Sequence, residues 1–338
     1  MTMMTEVELR LARLASQRLV AACADDGASA SQVVTDVCGV QAQDHGSALA
    51  GVCVRRPGLL AEQVERDLVE GREIAITWLM RGTLHLVAAE DLPWLIGLLG
   101  PLNEKRIVWR LRQLDVSDAD IERGTAAIAG ALTAGPLRKA EIAEALVRLG
   151  VLPDTAGQQP IHFIGLAAAR GALCLGPRRG ARRTYAPLRE WLGIGVDMAA
   201  EERQRQASAT RLGRRYLAAF GPAGPADFAF WSGLPAREAR AAFAAIEDQT
   251  EAVRVDGRAD DLRALRGSRA LTCAPSRPSG ERIDLPSWDN YLMGYADRRF
   301  ALGPGAEGAV TPNGGVLLRA VIEDGVVVGT WGGAVTPS

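Results

Sequence analysis

The chain has 338 residues, 48% of them hydrophobic, and a formal net charge of −1. Length and apolar content allow a sizeable core divided among two or three domains, or several small repeats sharing one core. The near-zero charge excludes a uniformly basic coat for nucleic acid, so any affinity for phosphate must come from local patches.

Five cysteines, at 23, 38, 53, 174 and 273, are scattered without a C-x-x-C pair, and there are only three histidines. No zinc-ligand spacing results, and a reduced chain with no metal and no cofactor is expected. The N-terminus has no basic segment followed by an apolar run. The most apolar stretch, residues 92–102, is interrupted by Pro93 and Pro101 and is too short to span a bilayer. The expected location is therefore the cytoplasm, close to the nucleoid, with no membrane partner.

In chain order, residues 6–22, 30–38 and 46–54 read as helices, followed by strands near 74–78 and 83–87. Gly39 stops the second helix, and Val40-Gln41-Ala42-Gln43 then alternates apolar and polar. In extended backbone, residues two apart project to the same side, so Gln41 and Gln43 are expected to aim two carboxamides together. Asp44 is a good N-cap for the helix that follows.

The middle of the chain reads as a helix over 118–132, a turn at 135–137 and a helix over 139–149. A polar turn at 153–157 leads to a helix over 159–170, a strand over 172–175, a turn at 176–180 and a returning strand over 182–186. Helix, helix, turn, helix, two-stranded wing is the order of a winged helix-turn-helix. A weaker copy follows about 90 residues later, with helices over 204–220, 226–231 and 236–245 and a wing opening near 253–257. Residues 275–280 read as a linker. Strands over 316–320 and 326–331 flank Asp324-Gly325, a strong hairpin signal. The expected fold class is α+β, mainly α: three tandem winged helices over 1–100, 101–195 and 196–272, then a small β-rich subdomain over 281–338.

The wing of the second repeat concentrates Arg178, Arg179, Arg182 and Arg183. Four guanidiniums at one hairpin suit a phosphate backbone, against the plainer reading of a solvated loop tip. Arg203, Arg205, Arg211, Arg214 and Arg215 alternate with acidic residues and read as a solvated face. Gly303 to Gly308 matches G-x-G-x-x-G literally, but no strand precedes it and Pro312 prevents a helix, so it is no dinucleotide fingerprint. His85 beside a strand reads first as a structural residue. His45 has no evident partner, and His162 suits DNA or solvent equally. Taken alone, Gln41 and Gln43 are two exposed loop amides.

Several segments together resemble the AlkZ-like family of bacterial DNA glycosylases. They are Gln41-Ala42-Gln43 (a Gln-apolar-Gln motif), Thr77 to Leu86 with Arg81 and His85, Pro286 to Arg298 with Asp289 and Asn290, and Gly329-Thr330-Trp331. Gln43, where a related branch has Asp, places the chain nearer the AlkZ branch. The resemblance implies tandem winged helices and catalytic roles for Gln41 and Gln43. Asp44, Arg81, His85, Asp289 and Asn290 become possible supports of the site. Relatives usually continue beyond the Gly-Thr-Trp segment, so a shortened β-rich subdomain is expected here. The acidic hairpin tip, Glu323-Asp324, argues against its insertion into a DNA groove.

Glutamine does not titrate and cannot serve as an ordinary general base. A purine alkylated at N7 or N3 is already cationic and leaves without protonation. Two amide oxygens would then suffice to place a water beneath C1′ and stabilise the oxocarbenium-like sugar. The expected activity is that of a monofunctional glycosylase, acting as a monomer on double-stranded DNA with alkylated bases. Bulky or crosslinked adducts are included, in repair or in toxin self-resistance. The alternative is a non-catalytic winged-helix DNA-binding protein or transcription regulator.

Overall fold

The structure, a computed structural model, describes residues 1–21, 27–257, 261–303, 306–311 and 317–330, and the backbone of 333–334. Cys23, Pro304, Gly305, Pro312, Val316 and Trp331, named above, lie outside the described residues. The fold is mainly helical with four small sheets among the described residues, an α+β arrangement as expected. The chain divides into two compact units, residues 1–67 with 209–338, and residues 68–208. The first boundary falls inside the expected segment 1–100 and the second inside 196–272.

In the first unit, helix Glu6–Ser16 opens with a reciprocal cap between Thr5 and Glu8. It stops six residues short of the expected end. Arg18 turns to a φ of 56°, drawn by an ion pair with Asp36 at 2.7 Å and a bond to the Arg55 carbonyl. Helix Ala30–Asp36 is capped in the same way by Ser29 and Gln32, and helix His45–Cys53 by Asp44. Helices Pro225–Ser232 and Ala236–Ala244 and the antiparallel strands Thr250–Val255 and Leu262–Leu265 lie in the segment expected to hold a third repeat. Thr2–Met4 adds a parallel strand to Thr250–Val255, which no local signal announces. Leu9 packs there with Val253, Val255, Leu262 and Ala264.

The C-terminal sheet runs in the order Arg282–Leu285, Ala320–Glu323, Val326–Thr330, Gly333–Ala334. Asp324 and Gly325 both take positive φ, 47° and 80°, as the tight two-residue turn requires. Its acidic tip is used within the unit: Asp324 Oδ1 accepts from the Ser279 amide at 2.8 Å, and Tyr291 donates to the Gly325 carbonyl at 2.9 Å.

In the second unit, Ile74–Trp78 and Leu84–Ala88 pair antiparallel, Ile74 opposite Ala88. The stretch read as broken by prolines is instead one 22-residue helix, Leu92–Gln113. Pro93 sits in its first turn, where a missing N–H costs nothing. Pro101 is carried in the interior of a helix whose residues 94–100 are all buried. A Cβ on Gly100 would lie 2.2 Å from the Ala169 carbonyl oxygen, so this helix closes tightly on helix Gln159–Ala169.

Helices Asp118–Leu132 and Lys139–Arg148 complete the bundle. Leu137, expected as the end of a turn, forms with Arg138 a third strand paired with Thr184 and Tyr185. The wing is longer than expected: Leu173–Arg179 and Arg182–Pro187 run on to a tip at Gly180-Ala181, with an irregularity between Gly176 and Arg179. Residues 176–179 are therefore strand.

Candidate active site

Gln41 and Gln43 sit on a short link whose entry is rigid. Cys38 and Gly39 both take positive φ, 60° and 87°, reversing the chain after helix Ala30–Asp36. The buried Asn290 clamps this reversal, donating its amide to the Gly39 carbonyl at 2.5 Å and to that of Val37 at 3.3 Å. Val40 and Gln41 are then extended. Helix His45–Cys53 presses on them closely: a Cβ on Gly51 would meet Val40 at 3.1 Å. On the far side, Asp44 accepts from the Ser47 amide at 2.8 Å, the N-cap read from the sequence.

The two glutamines are unequal. Gln41 is 6% exposed, and its Oε1 is buried with no hydrogen-bond donor among the described residues. Gln43, at the bend, is exposed. A buried carbonyl oxygen left unsatisfied costs about 1–3 kcal/mol, so it marks a place suited to a bound donor. Ala42 between them is buried and anchors the link. His45, without an evident partner in the sequence, has one in Glu65 at 2.6 Å.

Beneath the link lies a buried network in which Asp289 and Asn290, singled out by the resemblance, meet Arg55 and Gln17, for which the sequence offered no signal. Arg55 binds Asp289 through two bonds of 2.7 Å, with both side chains 0% exposed. The same guanidinium donates to the Gly51 carbonyl at 2.8 Å and to Gln17 Oε1 at 3.0 Å. Asp289 also accepts from the Tyr291 amide at 2.9 Å, which starts the turn carrying Asn290. Asp289 and Asn290 thus act through the framework: one holds Arg55 under helix His45–Cys53, the other holds the reversal before Gln41.

Arg81 and His85 belong to the second unit. His85 is buried and bonded through Nδ1 to the Thr83 carbonyl at 3.0 Å, and burial pushes its imidazole down to about 3. It is held neutral within the hairpin. In the wing, Arg179 is engaged with Glu141 at 3.3 Å and with the Pro136 carbonyl at 2.6 Å. Arg178 bonds the Ala181 carbonyl across the tip, and Arg182 is exposed. Among the described residues, no helix is long and apolar enough to cross a membrane.

Comparison with solved structures places this architecture among DNA glycosylases. The structure of DNA glycosylase AlkZ from Streptomyces sahachiroi superposes with a TM-score of 0.80 at 26% identity, covering 98% of this chain and 88% of that one. A protein of the same organism, described as an interstrand DNA cross-link repair glycosylase, is 30% identical over 312 residues, 90% of this chain and 82% of its own length. The DNA glycosylase AlkZ-like family matches residues 34–335, and the chain belongs to that family.

Proposed function

We propose that this DNA glycosylase repairs alkylated and crosslinked DNA, hydrolysing the N-glycosidic bond of purines alkylated at N7 or N3 with Gln41 and Gln43 as the water-holding pair. The observation that carries the assignment is the buried Oε1 of Gln41, an acceptor without a protein donor among the described residues on a link clamped at both ends. In the step envisaged, the glycosidic bond breaks and its electron pair neutralises the cationic base. Water adds to C1′ and releases its proton to solvent. An amide oxygen accepts the water's hydrogen and its dipole faces the positive sugar, with no titration at either glutamine. No lysine nucleophile is involved, so the strand is left uncut at the abasic site.

The test is release of free base from duplex DNA carrying N7-alkylguanine. Release without strand cleavage supports the reading; failure on every alkylated duplex tried overturns it.

Residues 118–187 are proposed to dock as a winged helix on the phosphate backbone of double-stranded DNA, the chain acting as a monomer. The pairing of Leu137–Arg138 with the wing supports this, as does the arginine cluster. Arg182→Ala is expected to flatten the slope of log affinity against log salt by about 0.9, the loss of one phosphate contact. Arg179→Ala should flatten it less, because Glu141 already engages that charge. Anisotropy titrations at several salt concentrations measure both, and equal slopes for Arg182→Ala and the parent would remove the wing from the interface.

A further inference from the structure

Residues 68–208 form a half-open cavity of about 300 Å³ that the glutamine assignment does not use. Helix Leu92–Gln113 lines it with Arg106, Ile107 and Arg110, a stripe at spacings of one, three and four that puts all three on one helix face. Helix Gln159–Ala169 contributes Ile161 and His162, and the turn after Ile74–Trp78 contributes Arg81.

The charge is one-sided. Three of the lining side chains are guanidiniums and none is acidic, in a chain whose net charge is −1. Arg110 bonds Gln113 at 3.2 Å and Gln158 at 3.0 Å, neutral amides that orient the fork without cancelling its charge. The field is felt by His162, whose imidazole is lowered first by burial and then by Arg110.

Arg81 is presented by strained backbone. It adopts φ 56° and ψ 16°, a left-handed conformation that costs a non-glycine residue on the order of 1 kcal/mol. Buried Asn103 locks that turn by donating to the Leu79 carbonyl at 2.8 Å, and Thr83 closes it onto the Met80 carbonyl at 3.0 Å. Strain of this kind persists where the surrounding structure over-determines it, and here it sets a cation at a cavity wall.

The remaining wall is aromatic and aliphatic, formed by Trp78, Ile107 and Ile161. A volume of about 300 Å³ lies at the lower end of small-molecule sites and leaves room beyond a single phosphate. We propose that this cavity is a binding site for one mononucleotide unit, its phosphate held by Arg81, Arg106 and Arg110 and its base or sugar against Trp78, Ile107 and Ile161. In a DNA glycosylase the natural occupant is a nucleotide displaced from the duplex stack. The site is independent of the glutamine chemistry, because free nucleotides test it without any base release.

The experiment titrates the full chain by calorimetry with deoxyguanosine 5′-monophosphate, deoxyguanosine and inorganic phosphate, while NMR follows the His162 ring. The mononucleotide is expected to bind at least about tenfold more tightly than either fragment and to raise the His162 pKa by about one unit, as a nearby anion does. Arg106→Ala with Arg110→Ala should weaken it by about tenfold or more, the ordinary loss of a charge-assisted hydrogen bond. If that pair unfolds, Arg110→Gln alone makes the same test. Binding no tighter than that of phosphate, or undiminished in a folded arginine variant, overturns the proposal.

Discussion

Replacing Gln41 with alanine is expected to lower the rate of base release by about a hundredfold to a thousandfold, the usual effect of removing one preorganised dipole from a transition state. The fall should appear in single-turnover kinetics on duplex DNA carrying N7-alkylguanine, with DNA affinity little changed. Stability should not suffer: Gln41 Oε1 is buried without a donor among the described residues, and removing an unsatisfied acceptor relieves rather than adds strain. Loss of activity with an unchanged or raised melting temperature separates a chemical role from a structural one. Gln43→Ala should act in the same direction. The double variant should fall well short of the product of the two losses, since groups that hold one water act as a unit. Neither amide titrates, so the single-turnover rate should be flat between about pH 6 and 8. Full activity in the double variant would sink the assignment.

Asp289→Ala is expected to be among the most destabilising single changes in the first unit. It strands Arg55, a guanidinium 0% exposed, without its carboxylate. Breaking a buried pair by removing one partner costs about 3–5 kcal/mol. In a unit of this size that corresponds to a drop of roughly 10 °C in melting temperature. Activity should fall with it, because Arg55 ties helix His45–Cys53 to the turn that carries Asn290, and Asn290 clamps the reversal before Gln41. Replacing both members, Arg55→Met with Asp289→Leu, should recover much of the stability, since an apolar pair of similar volume has no stranded charge. Thermal melts of the three proteins decide the matter. An Asp289→Ala protein as stable as its parent would show that the pair is not coupled to folding.

What the sequence determined by itself was local. Asp44 as an N-cap, the hairpin near 74–88, the Asp324-Gly325 turn and the helices of residues 118–169 were legible because capping, turn chemistry and periodicity act within a few residues. Where such signals conflict with burial they mislead: two prolines hid helix Leu92–Gln113, and a glycine-proline pair hid the length of the wing. The motif Gln41-Ala42-Gln43 was visible, but the inequality of its glutamines was not, because burial belongs to the folded chain.

Only the tertiary structure decided how the link is held. Asn290 lies 251 residues from the Gly39 carbonyl it binds, and Asp289 lies 234 residues from Arg55. No sequence spacing encodes such pairs; they exist because folding removes their water and leaves each polar group one partner to find. The same holds for the parallel strand Thr2–Met4 and for the cavity lined by Arg81, Arg106 and Arg110, cations from segments that only packing brings to one wall.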